Sequence, residues 1–400
     1  MSKRYQGGVL GVGFNPLRAP NAPTIGTATA GGNNCASVAF TAPACVGGSA
    51  ITSYTARSNP TGFGAAAAGS PITVTGLSTG TSYTFGAFAL NSYGPSPISA
   101  FSNSITAVLD GTFGIFALGC VSGNSTTRNK YTYSGCVVSA GGAATTASSN
   151  GSAAGNSTVG IFALGYITCG GSNTNSTIRD KYTYSGCVVS AGGAATVASA
   201  QTSAAGNSTV GIFTLSVGNS FETARNKYTY SGCVVSAGGA ATTQSYRGSA
   251  TGNSTVGIFA LGANSFTGAR LTTRDKYTYS GCVVSAATAA TVATQHGSAA
   301  GNSTVGIFAL GCGGGAARNK YTYSGDVVSA GGAATSSSYR GSAAGKSSVG
   351  IFALGVVCPS NSTTRNKYTY SGCVVTAGGA ATAASAYGSA ASNGIAGITL

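Results

Sequence analysis

Gly151-Ser-Ala-Ala-Gly-Asn-Ser-Thr-Val-Gly-Ile-Phe-Ala-Leu164 and, further on, Arg179-Asp-Lys-Tyr-Thr-Tyr-Ser-Gly-Cys-Val-Val-Ser-Ala191 decide the fold, because both stretches recur down the chain. Gly-Ile-Phe-(Ala/Thr)-Leu begins at Gly114, Gly160, Gly211, Gly257, Gly306 and Gly350, at intervals of 44 to 51 residues, and a degenerate copy starts at Gly397. Lys-Tyr-Thr-Tyr-Ser-Gly begins at Lys130, Lys181, Lys227, Lys276, Lys320 and Lys367, each followed closely by Val-Val-(Ser/Thr)-Ala. Side-chain alternation assigns these runs to strands. In Gly-Ile-Phe-Ala-Leu, Ile115 and Ala117 point one way and Phe116 and Leu118 the other, so the strand is apolar on both faces and buried on both. In Arg-Asn-Lys-Tyr-Thr-Tyr, Tyr131 and Tyr133 share one face, while Arg128, Lys130 and Thr132 are expected on the opposite one. No window has helical periodicity, and 64 glycines weigh against helix.

Four short strands in each repeat of about 40–50 residues is the signal of a β-propeller blade. The order of the runs resembles a kelch-type propeller: a Gly-Ser-Ala-Ala strand, an inner strand, a Tyr-rich strand and an outer strand. The sequence departs from kelch in lacking the double glycine after most inner strands and the outer-strand tryptophan. Six copies of the Tyr and Val-Val strands predict six blades, with Gly388–Ser392 completing the blade begun at Gly111. The leftover Gly397-Ile-Thr-Leu400 keeps seven blades as the alternative.

Residues 20–108 do not repeat. They read as an antiparallel sandwich with strands at Cys35–Thr41, Ile51–Ser58, Pro71–Leu77, Tyr83–Asn91 and Phe101–Val108. Pro71-Ile-Thr-Val-Thr-Gly-Leu77, Gly80-Thr-Ser-Tyr83-Thr-Phe85, Ala42-Pro43 and Gly47-Gly-Ser-Ala-Ile-Thr-Ser-Tyr54 resemble fibronectin type III. That resemblance implies that Tyr83 closes a turn through its hydroxyl. Residues 1–19 resemble the leader of virion-associated proteins of tailed, cyanophage-like bacteriophages, and the low-charge repeats are similar to phage fibre and decoration domains. The domain reading is therefore 1–19 as a docking leader, 20–108 as the fibronectin-like domain and 109–400 as the propeller, an all-β protein throughout.

Composition narrows the function. Only 6% of the 400 residues are charged, with five acids (Asp110, Asp180, Glu222, Asp275, Asp326) and one histidine, His296. Acid–base catalysis has almost nothing to use, and a kelch-type copper oxidase would need more ligands than His296 supplies, so no enzyme and no cofactor is expected. No stretch of about 18 apolar residues is present to span a membrane, and no apolar signal-peptide core follows Met1. The formal charge of +15 arises mostly from one Arg-x-Lys pair copied six times. Eleven cysteines without a secretion signal fit a virion protein made in the host and released by lysis; a cytosolic protein with reduced thiols is the other reading. Cys120 with Cys169, Cys312 with Cys358, and Cys35 with Cys45 are the candidate disulfides. Cys136, Cys187, Cys233, Cys282 and Cys373, after the Ser-Gly turn, read as buried small apolar side chains, with Asp326 in the sixth place.

One end of the propeller carries near-constant turns, whose Asn-Ser-Thr sequons read as hairpin chemistry. The other end varies, from Cys312-Gly-Gly-Gly-Ala-Ala317 to Ala263-Asn-Ser-Phe-Thr-Gly-Ala-Arg-Leu-Thr-Thr273, as does the residue before each first strand: Asn150, Gln201, Arg247, His296, Arg340 and Tyr387. A constant frame with variable loops on one side suits a binding surface; drift in unconstrained loops is the competing reading. The pairs Arg128/Lys130, Arg179/Lys181, Arg225/Lys227, Arg274/Lys276, Arg318/Lys320 and Arg365/Lys367 are expected on that variable end. There they would either attract an anionic host polysaccharide or simply shield a strand and keep the ring soluble. No nucleic-acid module is recognisable. The expectation is a phage virion fibre or decoration protein, oligomeric in the particle, contacting other virion proteins through residues 1–19 and the fibronectin-like domain. A secreted bacterial carbohydrate-binding or surface-layer module is the alternative.

Overall fold

The computed structural model describes residues 18–32, 35–78, 81–107, 113–133, 135–167, 174–184, 186–216 and 223–393. The leader, Asp110, Cys169, Glu222 and Gly397-Ile-Thr-Leu400 thus lie outside the described residues, apart from the leader's Arg18 and Ala19. The chain is all-β and divides into two compact units, Met1–Leu109 and Asp110–Leu400.

The first unit is a two-sheet sandwich. Thr24–Gly32, Cys35–Thr41 and Ile72–Val74 form one sheet; Gly64–Ala67, Ser53–Asn59, Ser82–Asn91 and Gly94–Pro95 form the other, with Ile105–Thr106 also paired to Ser82–Asn91. Alternating residues of both sheets, among them Val38, Tyr54, Val74 and Phe85, fill the core. The corner role expected of Tyr83 is present: its hydroxyl accepts the Ser78 N–H at 3.2 Å. Of the strand expected at Phe101–Val108, whose Val108 lies outside the described residues, only Ile105–Thr106 is a strand, and Phe101 is exposed. The cause is a three-residue period in Ser96-Pro-Ile-Ser99-Ala-Phe-Ser102. Each of these serines accepts a backbone N–H of Ala89, Ala87 or Phe85 on its hydroxyl and donates its own N–H to the same residue's carbonyl. A step of three cannot follow the two-residue pleat of a β-strand.

Among the described residues, the second unit contains six four-stranded antiparallel sheets and two two-stranded ones, Ser245–Tyr246 with Ala263–Asn264 and Val356–Val357 with Ser360–Asn361. Five of the six are continuous in sequence; the second, for example, runs Ser152–Gly155, Val159–Ala163, Arg179–Thr183, Val188–Ala191. The first sheet takes its innermost strand from the far end of the chain, because Ser389–Ser392 pairs with Phe113–Ala117. The innermost strands touch one another in unbroken cyclic succession, from Ser389–Ser392 to Ser152–Gly155 and so on to Ser342–Gly345, which returns to Ser389–Ser392. Each core cluster is shared by two neighbouring sheets; Phe113, Ile115 and Ala391 of one pack with Phe162, Tyr182 and Tyr184 of the next. This arrangement explains the glycine that opens Gly-Ile-Phe. A Cβ on Gly160 would lie 2.8 Å from the Tyr184 hydroxyl and 3.1 Å from the Ala391 Cβ, so the tyrosine reaches across the second strand only because that strand has no side chain there. Burial pushes the phenols of Tyr184, Tyr230, Tyr279 and Tyr370 well above their ordinary range.

Candidate functional site

The structure corrects the expected location of the six arginines. Arg128, Arg179, Arg225, Arg274, Arg318 and Arg365 are 0–2% exposed and lie between sheets. Each guanidinium donates from Nη2 to the residue following the arginine in the next sheet. Arg128 reaches Asp180 at 2.7 Å, Arg179 reaches Asn226 at 3.0 Å, Arg225 reaches Asp275 at 2.6 Å and Arg274 reaches Asn319 at 3.0 Å. Arg318 reaches Asn366 and Arg365 returns to Asn129, both at 3.1 Å, so the joints form a closed cycle. Every guanidinium also stacks 4.6–4.7 Å over the phenylalanine of the next sheet, Phe162 for Arg128 and Phe116 for Arg365. Alternation put these arginines on the right face of their strand, but the neighbouring sheet covers that face. A side chain so enclosed cannot meet an external polysaccharide.

The acceptor in each joint, Asn or Asp, was missed from the sequence. A threonine from the loop ahead of the next sheet completes it: the Thr196 N–H donates to Asn226 Oδ1 at 3.1 Å, and the Asn226 amide donates to the Thr196 hydroxyl at 2.8 Å. The restriction of the residue between Arg and Lys to Asn or Asp in all six repeats was the available signal, since these are the two residues that offer an oxygen at that distance from the backbone. In the four joints with asparagine, burial pushes Arg179, Arg274, Arg318 and Arg365 down to about 10. Arg128 and Arg225 are lowered as well by burial, against the opposing pull of Asp180 and Asp275.

The lysines Lys130, Lys181, Lys227, Lys276, Lys320 and Lys367 are half-buried on the third strands. Lys276 makes an ion pair with Asp326 at 3.0 Å, and Lys130 sits 4.2 Å over the Phe113 ring. The turn cysteines Cys136, Cys187, Cys233, Cys282 and Cys373 are half-buried, not fully buried as expected, and adopt φ of 51–54°. Their thiols meet the tyrosine hydroxyls of the same sheets, as Cys187 does with Tyr182; Asp326 takes the equivalent contact from Tyr321 at 2.5 Å. Cys45, Cys312 and Cys358 carry free thiols, so the expected Cys312–Cys358 and Cys35–Cys45 disulfides are not formed. Arg270 donates instead to the Cys312 sulfur at 3.3 Å. The sequon asparagines are turn-formers, as expected: Asn156 Oδ1 accepts from Thr158 N and Val159 N, and its amide donates to Ser208 O of the next sheet at 3.0 Å.

The structure does bring together the other set of candidates. Asn150, Gln201, Arg247, His296, Arg340 and Tyr387 surround one cavity of about 80 Å³ at the end of the six innermost strands. Their backbones form a closed ring: Gln201 N donates to Asn150 O, Arg247 to Gln201, His296 to Arg247, Arg340 to His296, Tyr387 to Arg340 and Asn150 to Tyr387, all at 2.8–3.0 Å. All six hold φ of 56–61°, the left-handed region, where a non-glycine residue costs about 1–2 kcal/mol. A chain with 64 glycines places five different residue types, arginine twice, at these six positions where glycine would be free of strain; the turn cysteines and Asp326 are a second such set, but a nearly uniform one. Backbone strain of this kind gathers at functional sites. Just beyond the ring, short ladders tie the variable loops together, as in Ser149–Tyr166, Gln295–Cys312 and Tyr339–Val356.

The ring is electrostatically lopsided. Arg340 lies 4.5 Å from the Tyr387 ring and 4.9 Å from the Tyr339 ring, and Arg247 lies 4.5 Å from the Tyr246 ring and donates from Nε to Gln201 Oε1 at 3.3 Å. His296, between them in the ring, packs edge-on to Tyr387 with centroids 6.0 Å apart. Burial, reinforced by the charges of Arg247 and Arg340, lowers the His296 imidazole to about 3. As the histidine of a chain with one histidine, its C2–H resonance is expected not to titrate between pH 7 and 4.5 in a proton NMR series. Because the folded value is below the unfolded one, its contribution to stability is present above about pH 6.5 and is lost as pH falls toward 3. A titration midpoint near 6.5 would show that the ring is open to water.

No protein-family model matches the chain. No curated protein matches it either. Among 216 matching solved chains is a crystal structure of titin domains A168–A170, 26% identical, with a TM-score of 0.21, covering 22% of this chain and 32% of the titin chain. The chain thus spans about a third of that solved structure, and a likeness at this TM-score identifies no shared architecture.

Proposed function

We propose that Asp110–Leu400 is a six-bladed, kelch-like β-propeller that works as a binding module without catalysis, and that the first unit is a fibronectin type III-like spacer. One observation carries the reading: the six variable residues, Asn150, Gln201, Arg247, His296, Arg340 and Tyr387, converge on one cavity while the strands of each repeat, tied by the joints between sheets, stay nearly constant. The three acids among the described residues are engaged elsewhere, Asp180 and Asp275 with buried arginines and Asp326 with Lys276, so no described carboxylate serves the cavity. The setting we propose is the virion of a tailed phage, as a fibre or decoration protein that presents this mouth to host-surface glycans and docks through residues 1–19. The resemblance of the leader and the low-charge repeats supports it. A secreted bacterial carbohydrate-binding module is the second reading, favoured by the cavity alone if the leader has no docking role. Deleting residues 1–19 is expected to abolish incorporation into purified particles while leaving glycan-array binding intact. Particles that retain the shortened chain would overturn the docking role; an array with no signal for the full chain would overturn the binding role.

A further inference from the structure

The mouth cavity has a chemistry more specific than that of a general binding face. Two guanidiniums flank a neutral imidazole on one arc of the ring, while the opposite arc carries the carboxamides of Asn150 and Gln201. Among the described residues neither Arg247 nor Arg340 has an acidic partner, and the buried Nε of Arg340 has no hydrogen-bond partner at all. The Nε groups of the six joint arginines are buried unpartnered in the same way, so what sets Arg247 and Arg340 apart is their place at the rim of a cavity. Both arginines are held in place beforehand: Arg340 by Tyr339 and Tyr387, Arg247 by Tyr246 and the Gln201 carbonyl. Aromatic stacking occupies the faces of a guanidinium and leaves its in-plane N–H groups directed outward, which is the geometry that grips an oxyanion.

Size sets a further limit. A cavity of about 80 Å³ has room for roughly five to eight water molecules by the usual allowance of about 10–15 Å³ each. That accommodates an oxyanion with part of the ring that bears it, encircled by the backbone hydrogen-bond ring.

We propose that the mouth is an end-on site for the terminal acidic group of a surface glycan, a carboxylate or sulfate on a sugar, clamped by Arg247 and Arg340. Asn150, Gln201 and His296 supply hydrogen bonds to the sugar hydroxyls. Tyr387 is a positioning residue that fixes the Arg340 guanidinium. The proposal rests on the reading of this face as a binding surface, and it narrows the ligand to an anionic chain end.

The test uses the full chain and isothermal titration calorimetry with five probes: a sialic-acid-terminated trisaccharide, its neutral counterpart lacking the acidic sugar, a 3-O-sulfated galactoside, free sodium acetate and free sodium sulfate. At least tenfold tighter binding of one acidic sugar over the neutral one is expected, and the preferred arm separates carboxylate from sulfate. The Arg247→Gly/Arg340→Gly double variant is expected to lose at least tenfold in that affinity while its melting temperature stays the same or rises, because glycine relieves the left-handed strain and keeps the backbone ring. Arg340→Lys, which keeps the charge and loses the fork, is expected to fall in between. Equal affinity for the acidic and neutral probes, acidic binding unchanged in the double variant, or binding of the free anions without any gain from the sugar would each overturn the proposal. A glycan array in which neutral sugars bind and the double variant does not would overturn the anionic clamp while leaving the binding face standing. An array blank for the unaltered chain would remove both.

Discussion

A chain shortened to end at Tyr387 is expected to lose the cooperative unfolding transition of its second unit, or to melt roughly 10–20 °C lower in circular dichroism. The deletion removes Ser389–Ser392, whose register with Phe113–Ala117 runs from Ser389 opposite Ala117 to Ser392 opposite Gly114. It also removes the hydrogen bond from the Tyr133 hydroxyl to Ser392 at 2.9 Å and that from the Phe113 N–H to Asn393 at 3.0 Å. Ala390 and Ala391 are fully buried and pack against both flanking sheets, so their loss uncovers Ile115 and Phe116. Several backbone hydrogen bonds at about 1 kcal/mol net each, with the apolar surface uncovered beside them, amount to roughly 5 kcal/mol. That equals a large part of the stability of an ordinary domain. A synthetic peptide of residues 388–393 added in trans should restore part of the transition. An unchanged melt would mean that the first sheet does not depend on the far end of the chain.

The second large effect lies in the joints. Asp275→Ala is expected to cost about 3–5 kcal/mol in a denaturant titration, because it strands the Arg225 charge in a site where both side chains are fully shielded from water. Asp275→Asn should cost only a small fraction of that. Asparagine already serves four of the six joints: Asn226 accepts from Arg179 at 3.0 Å and from the Thr196 N–H at 3.1 Å, as Asp275 accepts from Arg225 and the Thr242 N–H. The adjustment is a rotation of the threonine hydroxyl, which donates to Asp275 but accepts from Asn226. Equal destabilisation by both substitutions would show that the charge of Asp275, and not its oxygen's position, holds the joint.

Much of the architecture was legible in the repeats. The four runs per repeat were placed on the strands they form, and Gly388–Ser392 was matched to the sheet that begins near Gly111. In the first unit, Cys35–Thr41 was bounded correctly, while Thr24–Gly32 and Gly64–Ala67 passed unnoticed. Apart from Ile25, both are built from Gly, Ala and Thr, whose small side chains leave little contrast between a buried and an exposed face. The candidate site divided in the same way. The six residues ahead of the first strands were found because they vary where everything around them repeats. The six arginines were found for the same regularity and were given the wrong surroundings.

That division has a physical origin. Local alternation, turn chemistry and spacing are properties of a few adjacent residues, so strand identity, strand number and the pairing order within a sheet could be read from the chain alone. Whether Arg128 faces water or Asp180 depends on a partner 52 positions away, and whether Arg247 and Arg340 share a cavity depends on the closing of the ring. Alternation tells which face of a strand a side chain occupies. Only the packing of one sheet on the next decides whether that face is covered, and covering it turned six supposed surface arginines into the joints of the interior, while Arg247 and Arg340 are left at the rim of a cavity.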